Sequence, residues 1–178
     1  MTYYGPKELA ASFRTVRKNT IQIANEIPED KYGFSPAEGA RTVGESLVHI
    51  ALAPRLQMQI HQQKLSTLVG FDFMAAFGAM MAEGSKPRTK AEIVALLTEE
   101  GEKAASYLES VTDEFLGESV TMPQPGVPPR SRFDMLMSMK EHEMHHRGQL
   151  MVAERMLGIT PHLTRQMQEM MAAHAAKK

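Results

Sequence analysis

Residues 142–149 read His142-Glu143-Met144-His145-His146-Arg147-Gly148-Gln149 and concentrate the groups in this chain that could do chemistry. They lie in a run of helix formers, where positions four apart stand one turn above each other on one face. His142 and His146 therefore point the same way and can hold one metal ion between their imidazoles. Two ligands from one helix do not make a stable site, so at least one more has to arrive from elsewhere. His49, mid-way along an earlier helical segment, is the candidate. His145 is offset by one position, about 100° round the helix, and is expected to flank the site rather than join it. Glu143 is one step off His142 and is expected to face solvent or a partner subunit. His61, His162 and His174 have no motif around them and read as surface or tail residues.

Two other metal patterns compete for the same string. His142-Glu143-x-x-His146 satisfies the zincin peptidase motif, with Glu143 as general base. The metzincin extension is missing, since Gln149 stands where that pattern has Gly, although Glu154 or Glu169 could be nominated as a downstream ligand. Such peptidases bind extended substrate along a strand edge, and this chain shows little strand. A carboxylate-bridged di-iron site needs Glu-x-x-His on two helices. Glu143 to His146 supplies one, but Glu45 to His49 is a four-residue step and the second motif is absent.

The composition narrows the chemistry further. A chain of 178 residues suits one well-buried core, so a single domain over 1–178 is the expectation. A net charge of −1 argues against a nucleic-acid surface. No apolar run reaches a bilayer's span, and Met1-Thr2-Tyr3-Tyr4-Gly5 lacks the basic and apolar regions of a leader, so a soluble cytoplasmic protein is expected. There is no cysteine, hence no disulfide, no thiolate ligand and no thiol nucleophile of the chain's own. Any metal must be held by His, Asp or Glu, and any sulfur nucleophile must be supplied by another molecule. Met144, Met151, Met156, Met167, Met170 and Met171 read as packing residues rather than copper ligands.

The elements that must position the histidines are marked by their caps. Thr42-Val43-Gly44-Glu45 and Thr89-Lys90-Ala91-Glu92 fit the capping box, and Ser131-Arg132-Phe133-Asp134 is a weaker version. Pro6 suits the first turn of an opening helix, with Glu8 close to its N-terminal dipole. Apolar residues at helical spacing predict helices over about 6–27, 43–66, 90–111 and 132–157, a short one around 73–81, and a tail helix beyond Gly158 and Pro161. On the fourth, Met135, Met139, His142, His146, Gln149, Ala153 and Met156 share one stripe. Residues 28–41 and 117–130 are rich in Pro and Gly and read as loops. The pattern is all-α, a four-helix bundle with short connecting and C-terminal helices.

His142-x-x-His145-His146-Arg147-Gly148-Gln149-Leu150 resembles the C-terminal signature of the DinB-like (DinB/YfiT) family of metal-dependent proteins. So does the block from Ser35-Pro36-Ala37-Glu38-Gly39 through Thr42-Val43-Gly44-Glu45 to Leu47-Val48-His49-Ile50-Ala51, in the right order and at about the right distance. The resemblance covers nearly the whole chain. It implies a four-helix bundle with a divalent metal, zinc, nickel or iron, held near one end by three histidines, which here would be His49, His142 and His146. Arg147 and Gln149 recur in that pattern; Arg147 could bond a loop carbonyl or carboxylate, and Gln149 could orient a ligand imidazole. Three neutral imidazoles leave at least one coordination position open, as in catalytic rather than structural zinc. The resemblance further implies a small-molecule substrate, a low-molecular-weight thiol as cosubstrate in a transferase-type reaction, and a homodimer. A non-catalytic metal or ligand carrier, and less readily a metal-dependent hydrolase, stand as alternatives. No catalytic residue is singled out beyond the metal ligands.

Overall fold

The helices begin where the sequence places their caps. The computed structural model describes residues 4–176; Met1–Tyr3, the head of the stretch examined for a leader, lie outside the described residues. Helix α1 spans Pro6–Glu26, with Pro6 in its first turn and Glu8 accepting the Gly5 N–H at 3.0 Å. Helix α2 spans Val43–Leu52, and the Thr42 hydroxyl and Glu45 carboxylate satisfy each other's backbone N–H groups. The remaining helices are α3, Pro54–Gln62, α4, Phe73–Gly84, α5, Lys90–Ser110, α6, Asp113–Gly117, α7, Arg132–Met156, and α8, His162–Ala175. Thr89 and Glu92 form a second capping box before α5, and the Ser131 hydroxyl caps α7 at the Asp134 N–H. Gly158, at φ +79°, ends α7: its N–H reaches Arg155 O and the Ile159 N–H reaches Glu154 O, which leaves few carbonyls orphaned.

Three expectations are corrected. The helix expected over 43–66 is two helices, because Pro54 has no N–H to give to the carbonyl of Ile50 and its ring crowds that turn. The segment 117–130 is not all loop: α6 opens it, and β1, Ser119–Val120, pairs antiparallel with β2, Arg130–Ser131, in a two-residue ladder. The methionines read as packing are largely exposed in this chain; Met156 is 56 % and Met171 64 % accessible, and of the six only Met151 packs against the core.

Helix α1 packs chiefly on α5 and α7, and α2 packs on the same two, so the consecutive helices α1 and α2 lie across the bundle from each other. The result is an all-α four-helix bundle whose fourth column is bent at Pro54 into α2 and α3. One apolar core joins Ile23, Ile27, Leu47, Ile50, Leu97 and Leu150; another, towards the other end, joins Leu9, Phe13, Ala104, Leu108, Leu136 and Met139. No described helix is long and apolar enough to cross a membrane.

Candidate metal centre

His49 sits two turns into α2, and its register is set by the Thr42–Glu45 cap immediately upstream. His142 and His146 stand one turn apart on α7, on the side that faces α2. The three rings converge through the same atom. His49 Nε2 lies 3.0 Å from His142 Nε2, and His146 Nε2 lies 3.2 Å from His142 Nε2. Two nitrogens each ~2.1 Å from one ion at a tetrahedral angle stand ~3.4 Å apart, so these two spacings are close to those of a shared ion, and the three ligand atoms all lie within 4.8 Å of one another. Among the described residues this is the one group of three or more His, Asp or Glu side chains gathered tightly enough to hold a metal. It contains no carboxylate.

Proton positions favour ligation. Burial lowers the His49 imidazole to a pKa of about 4, helped by Arg41 and by the other two rings. His142 is likewise pushed to about 4, by burial and then by the neighbouring histidines. Burial also lowers His146, against the opposing pull of Gln149. All three are therefore neutral near pH 7, with lone pairs available. Gln149 accounts for the tautomer of one of them: its Oε1 accepts from His146 Nδ1 at 2.9 Å, which leaves His146 Nε2 unprotonated and aimed at the cluster. The amide of the same Gln149 reaches His145 Nε2 at 3.3 Å, so His145 flanks the triad through Gln149 and stands outside the converging set. His142 Nδ1 is buried with no partner.

Glu143 overturns its expectation. It is 1 % exposed, and both carboxylate oxygens lie 3.0 Å from Arg17 Nε, with Arg17 Nη2 at 2.9 Å from Oε2. A charge this deep needs a bonded partner, and Arg17 of α1 supplies it. The other N–H groups of Arg17 go to the carbonyls of Leu97, at 2.6 Å, and Ile50, at 3.2 Å. The Ile50 carbonyl is the one that Pro54 leaves without its helical donor. Arg17 thus ties α1 to α5, to α2 one residue from His49, and to α7 one residue from His142. Sequence reasoning missed it, because its partner is 126 residues away; the available signal was a basic residue on the buried stripe of α1. Glu143 held in this way is not free to act as the general base that the zincin pattern requires.

Two more histidines leave the surface to which they were assigned. His61 is fully buried, with Nδ1 3.2 Å from Arg132 Nη1, and Arg132 itself is held by Glu118 and stacks on Phe115. His162 is 1 % exposed and meets Asn19 Oδ1 at 3.3 Å. Both lie away from the triad. His174, near the end of α8, is exposed as expected.

The triad opens onto two clefts. One, of about 500 Å³, is lined by His146, Gln149, Ser46 and Ala153 together with Gly39, Ala40 and Arg41. The other, of about 410 Å³, is lined by His49, Val48, Leu52, Met80 and Met81, and again by Gly39, Ala40 and Arg41.

The sequence profile of the DinB superfamily matches residues 12–150. The chain belongs to the DinB superfamily. Over 153 residues it is 24 % identical to the uncharacterized protein YjoA of Bacillus subtilis, spanning 86 % of this chain and 91 % of that one. The crystal structure of YjoA, a DinB-like protein, aligns with a TM-score of 0.62 over 86 % of this chain and 94 % of its own. A DinB-like protein from Bacillus cereus aligns at 0.67 with 19 % identity, covering 90 % of this chain and 97 % of its own. YfiT from B. subtilis, described as a probable metal-dependent hydrolase with an unusual four-helix bundle topology, aligns at 0.68 with 13 % identity, covering 90 % and 91 %. At these identities the solved structures support the fold of this DinB-superfamily chain, and its chemistry has to be argued from its own residues.

Proposed function

We propose that this DinB-superfamily protein, one domain over residues 1–178, binds a divalent metal ion, zinc, nickel or iron, through His49, His142 and His146, and uses it as an enzyme on a small molecule. The convergence of three neutral Nε2 atoms with no carboxylate among them carries this reading. A divalent ion held by neutral donors keeps its charge, and supplies acidity to a bound water or thiol. The chain's own residues do the holding. Gln149 keeps His146 in the ligating tautomer, and Arg17 fixes the helices that carry His49 and His142 at their mutual spacing. The two clefts beside the triad give room for two reactants. The finer reading is a transferase in which a low-molecular-weight thiol attacks a small electrophile, supported by a chain with no cysteine to provide the sulfur itself. A hydrolase is the second reading, favoured by the description of YfiT.

His49→Ala, His142→Ala and His146→Ala are each expected to lose most bound metal by elemental analysis, since a three-ligand site does not survive as two. His145→Ala is expected to retain it. Equal loss at His145 and His142 would show that the ligand set is wrong. With metal-loaded protein, a panel of biological thiols and a reactive ester-type electrophile separate the readings. A rate that needs the thiol and vanishes in His146→Ala supports the transferase, a rate with water alone supports the hydrolase, and neither leaves a carrier.

A further inference from the structure

The loop residues Gly39, Ala40 and Arg41 form a wall common to both clefts, and Arg41 is the cation there. Its charge reaches the triad, acting on all three imidazoles. It has no hydrogen bond or ion pair among the described residues. Of the two carboxylates nearest in sequence, Glu38 forms no ion pair with it, and Glu45, although within reach of its charge, is engaged by the Thr42 N–H at 2.8 Å in the cap of α2. The loop that carries Arg41 is held in shape: Ser35 Oγ donates to the carbonyls of Ala37 and Ala40, and Gly39 takes a φ of +74° that other residues rarely adopt. A rigid loop thus presents an unpaired guanidinium beside a candidate metal site.

Charge balance makes the arrangement informative. Three neutral histidines cancel none of a divalent ion's charge, and Arg41 adds another positive charge to the same pair of clefts. A ligand spanning them lowers the electrostatic energy most if it is an anion, and guanidinium pairs best with a carboxylate or phosphate. We propose that Arg41 receives an anionic arm of the small molecule that binds at the triad, so that the site selects ligands carrying a carboxylate or phosphate a short chain away from their metal-binding head. This rests on the metal reading above and adds to it the substrate class. The methionine-lined cleft beside His49 would then take an apolar portion, and the cleft with Ser46 and Gln149 a polar one.

The test uses two probes that differ only in the arm: succinic acid monohydroxamate, and the uncharged butyrohydroxamic acid. Both are titrated calorimetrically into the zinc-loaded full chain, as wild type, Arg41→Gln and Arg41→Lys, in about 0.15 M salt so that distant charges are screened. Zinc content is checked for each variant. Wild type is expected to prefer the acid by about fivefold or more. Arg41→Gln should bring the two affinities to within about twofold, the acid losing far more than the probe with the uncharged arm, and Arg41→Lys should keep part of the preference. Equal binding of the two probes by wild type overturns the proposal, as does a preference that persists in Arg41→Gln. An equal weakening of both probes in Arg41→Gln also overturns it, since the residue would then only support the loop. If zinc is not held, the metal reading itself fails and this inference with it; if zinc is held but neither hydroxamate binds, this inference alone is overturned.

Discussion

Glu154 is a buried carboxyl in the wrong company. It is 0 % exposed, neither oxygen has a hydrogen-bond partner, and burial followed by the nearby Glu26 raises its pKa from 4.5 to about 7. Arg165 and Arg155 pull the other way without bonding to it; Arg165 is spent on Glu26 at 2.6 Å. The sign follows directly. Below pH 4.5 the group is protonated both folded and unfolded and costs nothing. As pH rises towards 7 the unfolded chain ionises it first, so the folded state loses relative stability, by about 3 kcal/mol once both forms are ionised. Glu154→Gln is expected to abolish this loss: denaturant titrations of the variant and wild type should diverge between pH 5 and 8, the variant being the more stable at the upper end. Curves that stay parallel would place a partner on the carboxyl. No sequence signal marks this residue, because the charged groups that act on it from other elements, Glu26 of α1 and Arg165 of α8, are brought near only by the fold. The triad was far easier to read, since His142 and His146 share a stripe that periodicity alone defines, and His49 follows a cap that fixes its phase. His61 and His162 were misread for the same reason as Glu154: their burial comes from contacts distant in sequence.

At the scale of elements, the bundle is held in register by one arginine. Arg17 lies on α1 between Phe13 of one core and Ile23 of the other, and its bonds to Glu143, Leu97 O and Ile50 O span all four columns. Room for it is made by Gly101 on α5: a Cβ there would stand 2.7 Å from Arg17 Cγ and 2.9 Å from Nη1. Two principles give opposite signs for Gly101→Ala. Helix propensity favours alanine by about 1 kcal/mol, whereas forcing a methyl into a filled core costs about 1–3 kcal/mol, and more if the Arg17–Glu143 pair is broken. The contact is with Cγ, near the root of the side chain, so the arginine cannot swing clear. Gly101→Ala is therefore expected to lower the midpoint of thermal unfolding and to weaken metal binding, as both ligand-bearing helices lose their tie. A variant more stable than wild type would show that the network yields easily. The helices themselves were legible from capping boxes and 3.6-residue stripes. The break at Pro54 was equally available from the missing N–H of proline, but an unbroken apolar stripe through residue 56 outweighed it. The tiny β1–β2 ladder had no such stripe, being too short to alternate.

At the scale of the molecule, the exposed methionines ask what covers them. On α8, Met167, Met170 and Met171 fall at the three- and four-residue spacing of a single stripe, and are 53 %, 61 % and 64 % exposed. On α7, Val152 and Met156 stand one turn apart at 53 % and 56 %. The packing role read from the sequence is not met within one chain, and a second copy of the chain would meet it. Fully burying an exposed methionine is worth about 1.5–3 kcal/mol, and since these three are already part-covered the α8 stripe offers roughly 3–5 kcal/mol before the cost of association. A micromolar dimer needs about 8 kcal/mol net, and the α7 stripe adds to the drive. An isologous contact would double each contribution, because the same stripes come from both chains. A homodimer is accordingly expected by light scattering at micromolar concentration, and Met167→Lys with Met171→Lys should return it to a monomer. These positions are distant in sequence from His49, His142 and His146, and the double variant is expected to keep its metal. A wild-type monomer would refute the pairing and leave the bundle and its histidines untouched; a monomeric double variant that also sheds metal would mean that assembly itself holds α7 in place.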